Sequence, residues 1–426
     1  MGHLLVVESW VGAMSTLLPR AIREAGHTFT FATRDLGHYL RGAPGAGDVH
    51  PLLSGGNVVT TETNDPEQLL RTVERLHLAM EFDGILTSCD YYLPAVARVA
   101  ERLGLPGASV PSVERACRKD RTRAAMDDAG LPGPRYAVTE GWRETAAAAR
   151  SLGYPLVAKP VDLCAGMFVR KVDDESQLLD AWRSLADFPV NGRHQERVPL
   201  MLLEEVLDGP EVSVETVTWQ GHTHVVGVTD KSLAGAPWFV ESGHMFPADL
   251  AAADRSAAAD AAVAALAAIG YEHGVAHTEF RLTAAGPRLV EINPRPAGNR
   301  ITELVRRVTG IDIPMAAARL ALGEKPDLAP ADTGVRSAAV SFVLPELPGT
   351  LAAVRAEPDP RDAPDVVEWQ AKSPGERVGD GRSNNHYLGH VMVLDRHGAG
   401  ARTRAEEILR GVSVEIAADP ESAAAA

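Results

Sequence analysis

The sequence predicts a multidomain protein of the α/β and α+β classes, and three observations carry that expectation. The chain has 426 residues, and a domain usually takes about 100–200, so two to four units are expected. Through residue 112, apolar strands alternate with amphipathic helices, the pattern of a parallel, doubly wound sheet. Further on, runs of alternating polarity follow one another across tight turns, which suits an antiparallel sheet.

In order, HLLVVES reads as a strand, the stretch around Thr16 to Ala25 as a helix ending at Gly26, and HTFTFAT as a second strand. NVVTTET, a helix near 66–80, DGILTS, a helix near 91–103 and LPGAS complete the first unit, 1–112. A second unit, 113–192, opens with a helix over 113–129 that stops at Gly130 before LPGP, the usual glycine-then-proline exit. YPLVAKP, the loop DLCAGM, the strand FVRKV and a helix near 175–186 follow, then a loop at Asn191-Gly192. The third unit, 193–330, holds the strands PLMLLEEVL, EVSVETVTW and HTHVVGVTDK, a loop over 229–247, a helix over 251–269 and a hairpin. A closing α+β lobe, 331–426, runs from SAAVSFVLP to VSVEI, and its ESAAAA tail is expected to fray.

Composition narrows the function classes. A formal net charge of −15 argues against a general nucleic-acid or anionic-membrane binder. Cys89, Cys117 and Cys164 lie far apart, which indicates neither a disulfide framework nor a zinc site and fits a reducing cytoplasm. No signal peptide and no membrane span are expected from the apolar runs.

Chemistry concentrates in the predicted hairpin, where His277-Thr278-Glu279-Phe280-Arg281 returns through TAAGP as Val290-Glu291-Ile292-Asn293-Pro294-Arg295. Side chains alternate along a strand, so Glu291, Asn293 and Arg295 share one face, as do His277, Glu279 and Arg281. Pairing those faces joins two carboxylates and an amide oxygen, with an arginine at their edge. Neighbouring carboxylates repel, and one takes up a proton unless a cation lies between them. Hard oxygen donors suit Mg²⁺, which keeps several waters and draws its other ligands from phosphates. A magnesium–nucleotide site is therefore expected, with Arg295 facing the charge on a phosphoryl group. The competing reading is a structural network in which Arg281 and Arg295 neutralise the acids.

Lys159 sits in an apolar strand, where its ammonium needs a phosphate partner or a route to water. Lys119 stands early on a helix with Arg118, Arg121 and Arg123, which reads as a solvated basic face or as part of an anion site. Glu204, Glu205, Val206 and Leu207 end a strand, and Glu211 follows beyond Asp208-Gly209-Pro210. Such a crossing either exposes backbone groups to an adenine and a carboxylate to ribose hydroxyls, or is a plain turn. Lys231 and His244 lie on the 229–247 loop, long enough to be functional; they bind a second substrate or are merely solvated. Arg300, after Gly298 and Asn299, either grips a carboxylate through two bonds or simply begins a helix.

These segments, in this order, resemble the ATP-grasp superfamily of carboxylate–amine ligases: CRKDRTRAAMDDAGLPGP with Lys119, the pair Lys159-Pro160, Glu204-Glu205-Val206-Leu207, Glu211, and the acid…E-x-N-x-R set of Glu279, Glu291, Asn293 and Arg295. The run INPRPAGNRITELVRRVTGID is most similar to the branch of L-amino-acid ligases that make dipeptides. The resemblance implies an ATP-grasp fold, with an N-terminal parallel α/β lobe, a small ATP-clasping lobe and an antiparallel catalytic lobe. It implies ATP held by Lys119, Lys159, Glu204 to Leu207 and Glu211, and Mg²⁺ (two ions, or Mn²⁺ in their place) on Glu279, Glu291 and Asn293. Arg295 is then the catalytic group, and Lys231, His244, Gly298 and Arg300 are substrate contacts. The implied reaction is amide formation through an acyl phosphate, joining an amino acid to another amino acid or carboxylate. Small-molecule carboxylate and amine substrates are the implied partners, with homodimers common in the family. Two alternatives stay open, a carboxylase-type enzyme using bicarbonate and a nucleotide-binding module without turnover. One departure is the loop after Lys159, DLCAGMFV, with a single glycine where the family's loop is rich in Gly and Ser.

Overall fold

A computed structural model describes residues 1–40 and 49–417, so the tail expected to fray lies outside the described residues. The N-terminal sheet is parallel, in the spatial order Asn57–Thr60, Thr28–Thr33, His3–Val7, Gly84–Leu86. Parallel strands are covered on both faces, and Leu4 to Val7 are accordingly fully buried between two apolar clusters. LPGAS adds no strand: after Pro106 and Gly107 the chain turns into the helix Val110–Ala116, capped by Ser109.

The helix expected over 113–129 is two helices, Val110–Ala116 and Lys119–Asp128. They break because Arg118 is extended and the Lys119 amide donates to the Val161 carbonyl, 2.9 Å away. That tertiary bond replaces one the longer helix would have made. It also places Lys119 at the first position of the second helix, with its side chain turned inward.

The small lobe is an antiparallel sheet in the order Tyr136–Thr139, Met201–Glu205, Leu156–Pro160, Arg170–Val172. Leu178, Ala181 and Leu185 of the helix Glu175–Ala186 bury against Leu156, Ala158 and Leu203. The large sheet has eight strands, all antiparallel, running Gly286–Asn293, Gly274–Thr283, Glu211–Trp219, His222–Leu233, Glu241–Phe246, Ser337–Val343, Gly389–Asp395, Val366–Ala371. The helix Ala252–Ala268 lays Ala258, Ala262 and Ala265 on this sheet beside Val212, Val214 and Ile292. Small side chains let helix and sheet approach closely.

Two expectations change here. The stretch 229–247 is a β-hairpin and not a long loop: Thr229–Leu233 continues one strand, Glu241–Phe246 is the next, and Lys231 pairs with His244. Its glycines, prolines and buried charges hid the strand alternation. The large sheet also runs across residue 330, since Ser337–Val343 pairs with Glu241–Phe246. Within the described part of the C-terminal block, Arg377–Val378, Gly349–Ala356 and Val412–Ala417 form a separate three-stranded sheet.

Candidate active site

The hairpin faces pair as expected. Glu279 lies directly opposite Glu291, and His277 opposite Asn293. A bulge at Val290 shifts the register beyond Glu279, and its carbonyl accepts from Arg123 Nη2 at 3.0 Å. Glu279, Glu291, Asn293 and Arg295 all line one cleft of about 890 Å³, together with Lys119, Lys159, Glu204, Glu205, Val206, Leu207, Glu211, Gly298 and Arg300.

What lies beside the two acids differs from the sequence reading, which put an external cation between them. Each has an ammonium of its own: Lys231 Nζ is 2.8 Å from Glu279, and Lys119 Nζ is 2.7 Å from Glu291. Burial alone would raise the Glu279 carboxyl, but Lys231 and His277 hold it at about 2. Burial would likewise lower His277, yet Glu215 at 3.0 Å and Glu279 at 3.0 Å raise it to about 9. Among the described residues no three His, Cys, Asp or Glu side chains are grouped to cage an ion unaided. Two carboxylates and an amide oxygen on adjacent strands nonetheless fit Mg²⁺, whose remaining ligands are ordinarily water and phosphate.

The two lysines expected near phosphates come from different elements. Lys119 also donates to the Leu163 carbonyl at 2.7 Å; burial works against its charge, but Glu291 raises it overall. Lys159 pairs with Glu204 Oε2 at 2.7 Å, and Arg123 takes Glu204 Oε1 at 2.6 Å. Burial outweighs Glu204 and lowers Lys159, with Arg123 adding to the effect. A phosphate would restore the charge balance that burial costs it. The Glu204 side chain is thus committed inside the protein, and Glu205 pairs with Arg135 at 2.9 Å. Beyond this strand, Val206 and Leu207 lie outside any regular element and line the cleft.

Lys231 and His244 do not reach into the cleft from a loop. Both are buried strand residues behind its wall. Lys231 lies within 3.1 Å of Glu211, Glu241 and Glu279, and His244 is 3.2 Å from Glu241 and edge-on to Phe342. Glu211 is shared with Arg281 at 3.0 Å, and burial raises its carboxyl despite Lys231. Arg300 is occupied by Glu368 at 2.5 Å, and Asn299 donates to Glu241 at 2.6 Å.

Several residues that matter were missed. Asp90, from the N-terminal lobe, accepts from Arg295 Nε at 2.8 Å. Arg123 was read only as part of a basic cluster but is almost fully buried. The glycine-poor loop 162–168 is held from outside, where the Asn384 amide donates to the Ala165 carbonyl at 3.1 Å, and in the next strand the Lys171 amide donates to the Pro237 carbonyl at 2.9 Å. The apolar strand around Lys159 signalled a buried partner, but nothing near Arg295 in sequence pointed to Asp90.

Comparison with known proteins agrees with this geometry. The ATP-grasp domain family matches residues 152–303, the ATP-grasp N-terminal domain residues 20–107, and the L-amino acid ligase C-terminal domain 2 residues 341–417. Carnosine synthase 1 of Gallus gallus is 31% identical over 62% of this chain and 30% of its own length. Alanine–anticapsin ligase of Bacillus subtilis (strain 168) is 26% identical over 59% of this chain and 56% of its own. The chain thus spans less than two thirds of the length of these curated relatives. The crystal structure of an L-amino acid ligase from Bacillus licheniformis superposes with a TM-score of 0.79, covering 98% of this chain and 99% of that one at 23% identity, which establishes the fold. No helix of the described residues is long and apolar enough to cross a membrane. With the paired acids and the two cleft lysines in place, the chain carries ATP-grasp domains at residues 20–107 and 152–303, joined to a domain at 341–417 that matches the C-terminal one of L-amino acid ligases.

Proposed function

We propose that the protein is an ATP-dependent carboxylate–amine ligase that joins an amino acid to another amino acid or carboxylate. The observation that carries this reading is the convergence on one cleft of Glu279, Glu291, Asn293 and Arg295 from the large sheet with Lys119 and Lys159 across from them. Bound Mg²⁺ would neutralise phosphate charge; Glu279, Glu291 and Asn293 are the residues that would hold it. Lys119 would exchange Glu291 for a phosphate oxygen, and Lys159 would steady the same chain of phosphates. The backbone at Val206 and Leu207 would read the adenine, with Glu211 toward the ribose. A substrate carboxylate oxygen attacks the terminal phosphorus of ATP and ADP leaves. The amine nitrogen then attacks the acyl carbon, loses a proton, and inorganic phosphate departs. Arg295 stabilises the negative charge that builds up in both steps. The reading extends to a cytoplasmic homodimer using two divalent ions.

The test is a phosphate-release screen over amino-acid pairs, with bicarbonate in parallel and mass spectrometry of products. Amine-dependent release of ADP and phosphate is expected; bicarbonate-dependent release would favour a carboxylase-type enzyme, and nucleotide binding without release a non-catalytic module. Glu291→Gln and Arg295→Ala should each lower turnover by on the order of 10²–10³ while circular dichroism stays that of the parent. Near-parental turnover in either variant would count against the assignment.

A further inference from the structure

We propose that Arg193 and Trp10 are positioning residues that aim Arg295 through Asp90; the inference takes the role of Arg295 from the ligase reading above. Asp90 Oδ2 accepts two hydrogen bonds of 2.8 Å, one from Trp10 Nε1 and one from Arg295 Nε. The Nη1 end of the guanidinium donates to the Pro296 carbonyl at 3.0 Å, so the Nε side is aimed by a carboxylate that the indole orients. The indole is held in turn by Arg193, whose guanidinium lies 5.6 Å over the Trp10 ring and 5.7 Å over that of Tyr39. Tyr91 also packs against Trp10, with ring centroids 5.5 Å apart.

These residues belong to three lobes. Arg193 comes from the small lobe, which extends past the expected boundary at 192 because Met201–Glu205 pairs in its sheet; Trp10 and Asp90 come from the N-terminal lobe, and Arg295 follows the hairpin of the large sheet. The seat for Arg193 is built in detail. Asn191 Oδ1 accepts from the Arg193 amide at 2.8 Å, Asn64 donates to the Arg193 carbonyl at 2.8 Å, and Arg193 Nη2 donates to the Ser9 carbonyl. Below it, buried Glu8 accepts from Tyr39 at 2.6 Å, Thr63 at 2.7 Å, the Arg34 amide at 2.8 Å and Thr33 at 3.1 Å. Glu8 has φ +51°, a strained conformation for a non-glycine residue that persists only where its surroundings enforce it. The turn it makes ends the first strand and sends Ser9 and Trp10 toward Arg193 and the cleft. Seating of loop 191–195 thus becomes a condition for aiming Arg295. Chemistry then waits for a closed small lobe, when water that would hydrolyse an acyl phosphate is excluded.

Arg193→Gln and Trp10→Phe, singly and together, test this, with Thr72→Val as a control that removes a hydrogen bond from Thr61 in the N-terminal lobe without touching Glu8, Trp10 or Asp90. Each single variant should lose on the order of 10- to 100-fold in kcat for amide formation, as a displacement of about 1 Å does, with the KM for ATP unchanged. The double variant should be no slower than the slower single one, because both act through one contact, and Thr72→Val should keep the parental kcat. Multiplying losses, or full kcat in Trp10→Phe, would overturn the proposal. Hydrogen–deuterium exchange reads the same coupling without turnover: Arg193→Gln should speed exchange at 88–91 and 294–297, in lobes other than its own, and Thr72→Val should not. Unchanged exchange at both segments would also overturn it. If the parent protein shows no amine-dependent phosphate release with any pair, the ligase reading falls, and the exchange result alone decides the coupling.

Discussion

Lys231 shows how much of this cleft is internal bookkeeping between buried charges. Its ammonium lies among Glu211, Glu241 and Glu279, and those acids together hold its charge well above the usual range against burial. Removing one member of such a set strands the rest, at a cost of roughly 3–5 kcal/mol. Lys231→Met is therefore expected to lower the unfolding free energy by about that amount, measured by urea denaturation at neutral pH. Glu204 makes a pH-dependent case. Burial would raise its carboxyl, but Arg123 and Lys159 hold it below its ordinary value of 4.5. Its contribution is thus complete above that ordinary value and fades as pH falls through the lowered native one. Glu204→Gln should cost roughly 3–5 kcal/mol at pH 7, and the gap to the parent protein should narrow as the pH is taken down below 4.5. A gap constant with pH would refute the ionised triad.

Among the elements, the connector from the small lobe to the large sheet depends on one residue. Gly209 has φ +129°, and a Cβ there would lie 2.1 Å from the Leu282 carbonyl oxygen. The same turn gives its carbonyl to Arg281 at 2.8 Å. Gly209→Ala must push the connector off the hairpin, and a loss of about 3 kcal/mol is expected, read as a lowered melting temperature. The Asp-Gly-Pro signal was legible because turn chemistry is local. The strands at 229–247 were not, because Lys231, Glu241 and His244 are polar residues facing a buried cluster, and polarity in sequence does not reveal that their partners lie on neighbouring strands.

For the whole molecule, the continuous eight-stranded sheet makes the C-terminal block part of the catalytic lobe. A chain ending at residue 330 would leave the strand Glu241–Phe246 with an open edge where Ser337–Val343 belongs. Such a fragment should aggregate, checked by size-exclusion chromatography; a monodisperse, folded product would contradict this. The order of the lobes, the parallel N-terminal sheet and the facing acids were readable because periodicity and turn residues are local properties. Asp90 and Arg295, 205 positions apart, meet only through tertiary folding, and so do Arg193 and Trp10. The break at Cys117-Arg118 was hidden for a similar reason, since the bond that ends the helix comes from Val161.

Arg123 holds Glu204 of the small lobe and the Val290 carbonyl of the large sheet with one planar side chain. A guanidinium anchored on both sides acts as an axle. The small lobe can swing about it while both bonds survive, whereas sliding would break them together. Gaping of the mouth would break the bonds of Ala165 to Asn384 and of Lys171 to Pro237 together with the Arg193 seat, while the base of the cleft keeps its Arg123 anchor.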